Sequence, residues 1–238
     1  EKLIYYEVNI QITTIMKEVI YMAYGVRFEV WGDYALFTRP EMKTERVSYD
    51  VITPSAARGL LEAIYFKPAI RWKIDRITVC NPIRFTNIRR NEVGSKISAR
   101  NVKSDIKANT FIRQIYTSKD IQQRASMILR DVRISAHFDT TDKAGKTDTP
   151  EKHYNIVLRR LRQGQFFHQP YFGCREFPAN FFLIENKEDG SPALQEDRDL
   201  GYMLYDLDYS NPRDIQPMFF HAVMKSGVIE LTHCEVKK

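Results

Sequence analysis

Two Thr-Pro dipeptides, at residues 53–54 and 149–150, mark the starts of two helices around which the rest of the chain must pack. A threonine side chain caps the N–H groups of a first helical turn, and proline at the next position loses only a donor that has no helical partner there. The first helix ends at Pro68, and the second at Gly164, a residue type that is common just beyond helix ends. The sequence therefore predicts two helices with defined boundaries.

Segments in which apolar and polar residues alternate lie on both sides of each helix, and such alternation predicts strands. These segments fall within residues 26–31, 70–79, 122–139 and 174–184. In the last of them Pro178 indicates an edge strand or a bulge. The order strand, helix, strand, strand, helix, strand predicts an α+β fold with an RRM-like or ferredoxin-like sheet that carries both helices on one face.

The C-terminal part of the chain has two further apolar runs, at 203–209 and 218–231, the second of which folds back at 225–227. They predict a small antiparallel β-sheet appended to the first domain. The resulting domain organisation is an N-terminal extension at 1–22, an RRM/ferredoxin-like domain at 23–185 and a small C-terminal β domain at 186–238. The extension lacks the pattern of a signal peptide, and either Met16 or Met22 is a candidate start.

Positive charge is concentrated in one part of the chain. Of a formal net charge of +6, residues 84–124 contribute an excess of +7, and the remainder is close to neutral. A localised basic stretch of this kind favours a polyanionic partner, nucleic acid before membrane, because no amphipathic basic helix with a strongly apolar face is present. Its glycine and serine residues give it the character of a loop, so the alternative is a solvated flexible segment.

No pattern for a metal, a cofactor or a membrane anchor is present. The three cysteines, Cys80, Cys174 and Cys234, are far apart and odd in number, which argues against a disulfide framework and against metal-ligand spacing. The five histidines form no metal-binding cluster either. No apolar run is long enough to cross a bilayer. We therefore expect a cytoplasmic protein without metal or cofactor.

Lys152 and His153 lie in the first turn of the second predicted helix, where free N–H groups and the positive end of the helix dipole favour a phosphate. The same field disfavours an imidazolium, so His153 is suited to accept a proton, and Lys152 supplies a compact charge for a phosphate oxygen. Alternatively, both are ordinary solvated residues. Tyr65, in the last turn of the first helix, is equally typical of a packed tyrosine with a hydrogen-bonded hydroxyl.

Several motifs together resemble one known family. They are residues 32–68 (GDYALFTRPEMKTERVSYDVITPSAARGLLEAIYFKP), RRNEVG at 89–94, LRDV at 129–132, KHY at 152–154 and CREFPA at 174–179. Over about residues 23–231 the chain closely resembles the d-type members of the fifth Cas protein family. These are the repeat-processing subunits of subtype I-C CRISPR interference complexes.

The resemblance implies an RRM-like domain followed by a smaller β domain, and a metal-independent endoribonuclease that cuts the repeat hairpin of the CRISPR precursor transcript. Such an enzyme stays on the 5′ handle of its product, beside the backbone and large subunits of the complex. The family's catalytic tyrosine and Lys-His pair correspond to Tyr65, Lys152 and His153. In the implied mechanism His153 is the better candidate base, Lys152 neutralises the phosphate oxygens, and Tyr65 orients the 2′-hydroxyl or acts as acid, with an exchange of roles between Tyr65 and His153 left open.

The basic stretch is then expected to bind the hairpin and handle phosphates. The candidate RNA-binding residues are Arg84, Arg89, Arg90, Lys96 and Arg100. A non-catalytic subunit that caps the 5′ handle is the alternative, in which the Lys-His pair only binds phosphate. A general RRM-type RNA-binding protein is a third reading, which the lack of an RNP-like aromatic signature disfavours.

Overall fold

A computed structural model describes residues 25–42, 44–110, 114–142, 149–186 and 188–238, and their side chains except at 131, 133–142 and 150. The predicted N-terminal extension, residues 1–22, lies outside the described residues. Within the described residues the α-helices are Pro54–Ile64 (α1), Ala99–Lys107 (α2) and Pro150–Arg162 (α3). The strands are Val26–Ala35 (β1), Arg46–Val47 (β2), Ile70–Val79 (β3), Phe85–Val93 (β4), Ile121–Asp142 (β5), Asn180–Leu183 (β6), Arg198–Asp208 (β7), Gln216–Met224 (β8), Val228–Glu230 (β9) and Val236–Lys237 (β10). The architecture is therefore mixed, with few helices and many strands.

Both predicted helix starts are confirmed. The Thr53 hydroxyl accepts a hydrogen bond from the backbone N–H of Ala56 at 3.2 Å. The Thr149 hydroxyl accepts one in the same way from the backbone N–H of Lys152 at 3.3 Å. In each helix the proline follows the capping threonine, as the local signal predicts.

The long strand β5 organises the larger sheet, whose strand order is β6-β1-β5-β3-β9, with β2 and β4 also paired to β5. The first part of β5 pairs antiparallel with β4, and its later part lies between β1 and β3, again antiparallel. β6 pairs antiparallel with β1 at one end of this strand order, where Pro178 predicted an edge strand or a bulge. α1 lies between β2 and β3 in the chain, α3 lies between β5 and β6, and the two helices contact each other.

The prediction of a loop in the basic stretch is wrong for most of its length, because residues 85–93 form β4 and residues 99–107 form α2. Along β4 the less exposed positions are Thr86, Ile88, Arg90 and Glu92, and only Ile88 is apolar. The period-two pattern is therefore present in burial but not in hydrophobicity. In α2 the one buried residue is Asp105, and the apolar residues Ala99, Val102 and Ile106, although spaced at i, i+3 and i+7, are not buried.

The C-terminal strands differ from the prediction in one respect. β7, β8 and β10 form a three-stranded antiparallel sheet, and the chain reverses after β8 with Ser226 and Gly227 at positive φ, as predicted. β9, however, pairs with β3 in the larger sheet instead of joining the small one. The chain therefore passes from β8 in the small sheet directly to β9 in the larger sheet, which connects the two sheets.

α1 packs between the two sheets. Its buried side chains are Pro54, Ala57, Leu60, Leu61 and Ile64, and each fully buried leucine or isoleucine contributes about 1.5–3 kcal/mol to stability. Met203 of β7 and Phe220 of β8 belong to the same hydrophobic core. On the more exposed side of α1, the Arg58 guanidinium forms an ion pair with Asp206 of β7. These contacts fix the position of the C-terminal end of α1, where the candidate site begins.

Candidate active site

Tyr65 is the residue at which the chain leaves α1. Its backbone is extended, with φ −148° and ψ 114°, while its N–H still donates to the carbonyl of Leu61 at 2.7 Å. The carbonyl of Tyr65 in turn accepts a hydrogen bond from the indole Nε1 of Trp72 on β3 at 3.0 Å. Tyr65 is therefore held from both sides, and its side chain is 2% exposed.

Lys152 and His153 lie in the first turn of α3 but in different environments. The backbone N–H of Lys152 binds the capping threonine, and its side chain is exposed. Because consecutive helical residues point about 100° apart, the next side chain is directed elsewhere. His153 points inward and is 1% exposed. The two residues of the predicted pair thus lie one at the surface and one in the interior.

The structure brings Tyr65 and His153 into direct contact. The Tyr65 hydroxyl and the His153 Nδ1 are 2.8 Å apart, which is a hydrogen bond between residues 88 positions apart in sequence. The imidazole tautomer decides the direction of this bond. If the hydroxyl donates to Nδ1, the imidazole proton lies on Nε2; if Nδ1–H donates to the hydroxyl, Nε2 is the basic nitrogen. The pair can therefore present either an acid or a base.

Arg160 is a further residue of this site that the sequence did not single out. It lies about two turns beyond His153 on α3, and so on the same helix face. Its guanidinium carbon is 5.3 Å from the centre of the Tyr65 ring, and its Nη1 donates to the carbonyl of Ile64 at the end of α1. A cation over an aromatic face stabilises the arrangement and places positive charge beside the phenol. The seven-residue spacing of His153 and Arg160 places both on one face of α3, and this could be read from the sequence. That Tyr65 packs against this face could not.

The candidate RNA-binding residues lie along β4 and the start of α2. Arg84, Arg89, Lys96 and Arg100 are exposed. Arg90 differs from them, because its side chain is 14% exposed and its guanidinium pairs with Glu176 and, at 3.2 Å, with Glu92. The charge of Arg90 is therefore partly compensated within the protein, whereas that of its neighbour Arg89 faces solvent.

Two negative findings apply to the described residues. No group of three or more His, Cys, Asp or Glu side chains there is arranged to hold a metal ion. Nor does any helix in the same part of the chain have the length and apolar character needed to cross a membrane.

Comparisons with known proteins add to this geometry. The d-type model of the family described as "CRISPR-associated protein (Cas_Cas5)" matches residues 25–232. A Mannheimia succiniciproducens protein named "CRISPR pre-crRNA endoribonuclease Cas5d" is 50% identical over 219 residues, covering 88% of this chain and 96% of the relative. A Thermus thermophilus protein of the same name is 38% identical over 224 residues, covering 87% of this chain and 90% of the relative.

The fold is likewise similar to a solved structure, described as "Crystal Structure of CRISPR-associated Protein". The TM-score is 0.63 at 24% sequence identity, and the superposition covers 90% of this chain and 96% of that one. At this identity the likeness concerns the fold alone.

Proposed function

Because the chain belongs to the d-type Cas5 family of CRISPR-associated proteins, we propose that it is an endoribonuclease that cleaves the repeat hairpin of CRISPR precursor RNA. The relatives' names supply the reaction class. The observation that carries the proposal for this chain is the 2.8 Å hydrogen bond between Tyr65 and His153, since it places two proton-transferring groups together next to the exposed Lys152.

The reaction we propose uses the RNA's own 2′-hydroxyl as nucleophile and needs no metal. A base removes the 2′-hydroxyl proton, the 2′-oxygen bonds to phosphorus, the bond from phosphorus to the 5′-oxygen breaks, and an acid protonates that oxygen. The products are a 2′,3′-cyclic phosphate and a 5′-hydroxyl. Lys152 neutralises the non-bridging oxygens as negative charge develops.

The two directions of the Tyr65–His153 hydrogen bond correspond to two assignments of roles. With Nδ1–H donated to Tyr65, His153 is a base through Nε2, which is the assignment that we favour. With the Tyr65 hydroxyl donated to Nδ1, the imidazole carries its proton on Nε2; as Nε2–H protonates the leaving oxygen, Nδ1 takes the Tyr65 proton, which leaves a neutral imidazole and a tyrosinate. In both cases Arg160 acts as a positioning residue, because it contacts the Tyr65 ring and the Ile64 carbonyl.

Access to this pair imposes a condition on the mechanism. Tyr65 and His153 are 2% and 1% exposed, so RNA cannot reach either group in the arrangement described. Binding of the RNA must therefore move neighbouring side chains enough to expose at least one of the two. Lys152, already exposed, is placed to make the first contact with the phosphate.

The rest of the proposal concerns binding and assembly. Arg84, Arg89, Lys96 and Arg100 contact RNA phosphates, while Arg90 holds β4 against Glu176. After cleavage the protein remains on the 5′ handle within a type I-C complex that includes backbone and large subunits. We further assign residues 23–185 to an RRM/ferredoxin-like domain and 186–238 to a small β domain; the strand order β6-β1-β5-β3 supports the first assignment.

The burial of Tyr65 and His153 also favours a second candidate function, that of a non-catalytic subunit which caps the 5′ handle. In that case Lys152 and the first turn of α3 bind a phosphate, and the tyrosine-histidine contact serves only to pack α1 against α3. The two functions predict the same RNA but different products.

Incubation with repeat RNA in EDTA distinguishes them. We expect the wild-type protein to cut at one site, leaving a cyclic phosphate, and His153→Ala to be slower by about 100- to 10,000-fold. His221→Ala is the matched control, since this histidine is exposed on β8. A single 2′-deoxyribose at the cleaved nucleotide should abolish cleavage and leave binding largely intact. Tight binding without cleavage of the unmodified RNA would support the capping function, and cleavage of the deoxy substrate would contradict the proposed nucleophile.

A further inference from the structure

A groove of about 850 Å³ runs between the outer face of α1 and the loop at 166–175 that follows α3. Three of its lining aromatic side chains are exposed: Phe66 by 56%, Phe167 by 68% and Tyr171 by 37%. We call this feature the aromatic groove. The α1 side of the groove is formed largely by small residues, Ser55, Ala56, Gly59 and Ala63. Exposed aromatic rings over a flat floor form a surface that suits planar ligands.

The backbone holds these rings in place. The N–H groups of Phe167 and His168 both donate to the carbonyl of Ala63 on α1, at 2.9 and 3.0 Å. Further along the loop, the N–H of the buried Phe172 donates to the carbonyl of Phe177, and the carbonyl of Phe172 accepts from the N–H of Leu36. The loop is therefore fixed against α1, and its aromatic side chains are exposed without being part of a loosely held segment.

The aromatic groove lies beside the candidate active site without including it. Phe66, on its wall, directly follows Tyr65, and Ala63, which anchors the loop, lies in the last turn of α1. Tyr65 and His153 do not line the groove. A chain of nucleotides bound with its phosphate at Lys152 and the end of α1 would thus have neighbouring nucleotides within reach of the groove.

The charged and aromatic lining of the groove favours RNA over an apolar protein segment. Arg175 and His168 line it together with one acidic residue, Glu62. Glu62 forms an i,i+4 ion pair with Arg58 at 3.4 Å, so its charge is partly compensated. The exposed rings and the Arg175 guanidinium are the groups on which bases stack and to which phosphates bind.

We propose that the aromatic groove binds unpaired nucleotides of the RNA that flank the scissile phosphate, by stacking of bases on Phe66 and Phe167, with Arg175 near the backbone phosphates. The proposal rests on the proposed function, since it takes the RNA to be the repeat. It adds a subsite that recognises single-stranded RNA next to the hairpin.

The test uses repeat RNA with 2′-deoxyribose at the cleaved nucleotide and the fluorescent base 2-aminopurine at each unpaired position in turn. Stacking on an aromatic ring quenches this fluorophore. We expect the wild-type protein to quench the fluorescence of at least one position near the cleavage site. Phe167→Ala should lose that quenching and bind the RNA about 5- to 150-fold more weakly. Phe167→Trp should retain the quenching and the affinity. Tyr209→Ala, which removes an equally exposed ring outside the groove, should behave like the wild type.

Equal quenching and equal affinity for wild type and Phe167→Ala would overturn the proposal. Because the deoxy RNA is not cleaved, the result does not depend on catalysis. Quenching without cleavage of the unmodified RNA would count against the enzymatic function and leave the groove as an RNA site. Thermal unfolding of each variant checks that the substitution, at an exposed position, leaves the fold intact.

Discussion

Arg89 and Arg90 are neighbours on β4, and the structure predicts that substitution of Arg89 weakens RNA binding whereas substitution of Arg90 does not. Arg89 is exposed, whereas Arg90 is paired with Glu92 and Glu176. Among the described residues of 84–124, the exposed cations are Arg84, Arg89, Lys96, Arg100, Lys103, Lys107 and Lys119. If about six of them contact phosphates, log K falls with log salt at a slope of about −5, so affinity drops about 1,000-fold between 50 and 200 mM salt.

Arg89→Gln removes one phosphate contact, so the magnitude of the slope of log K against log salt should fall by about 0.7–0.9. Arg90→Gln should leave the slope unchanged and instead lower stability by up to about 1 kcal/mol, since its ion pairs are partly exposed. RNA binding is measured by fluorescence anisotropy at several salt concentrations, with repeat RNA that carries a single 2′-deoxyribose at the cleaved nucleotide. The stability of each variant is measured separately by urea unfolding. An equal loss of slope in both variants would refute the distinction, and a salt-insensitive wild type would remove the basic region from the RNA site.

Three other predictions follow from single contacts. Arg160→Gln should slow single-turnover cleavage by about 10- to 100-fold, because Tyr65 loses the guanidinium that positions it. Arg160→Lys should retain part of the rate, and Arg159→Gln, at the exposed neighbouring position, should cleave at close to the wild-type rate. A wild-type rate for Arg160→Gln would contradict the positioning role of Arg160. Gly173→Ala should lower the midpoint of urea unfolding more than Gly164→Ala does, although both glycines have positive φ. An added Cβ at Gly173 would lie 1.9 Å from the Leu36 carbonyl oxygen, whereas one at Gly164 would meet nothing within 4 Å. Equal midpoints for the two variants would contradict this steric clash. Burial raises the pKa of the Cys234 thiol, so iodoacetamide should alkylate Cys234 more slowly at pH 8 than it alkylates glutathione, as measured by mass spectrometry. Alkylation of Cys234 faster than that of glutathione would contradict the raised pKa.

Local signals in the sequence were sufficient for part of the fold. The Thr-Pro helix starts and the strand at 70–79 follow from capping and from period-two alternation, and both signals lie within a few residues of the element they define. β4 was missed because three of its four less exposed positions are polar, so hydrophobicity gave no period there, and α2 was missed because its buried residue, Asp105, is polar and the serines around it indicate a loop. The pairing of β9 with β3 was missed because strand order is a long-range property that a hairpin signal does not contain.

The candidate site shows the same division between local and long-range information. The placement of Lys152 and His153 in a first helical turn was predictable, because it depends only on the capping signal before them. Their association with Tyr65 came from the family resemblance, since nothing local relates residues 88 positions apart. That Lys152 is exposed while His153 is buried, and that Arg160 completes the packing around Tyr65, required the positions of both helices.

The most direct test of the account is a double-mutant cycle on Tyr65 and His153, with single-turnover cleavage of repeat RNA measured in EDTA. If the two groups act as one hydrogen-bonded unit, Tyr65→Phe and His153→Ala should each reduce the rate by about 100- to 10,000-fold, and the double variant should be little slower than the slower single variant. Binding of the deoxy RNA and thermal unfolding serve as controls for all proteins. Cleavage by His153→Ala at the wild-type rate would contradict a catalytic role for His153, and losses that multiply in the double variant would contradict the action of the pair as one unit.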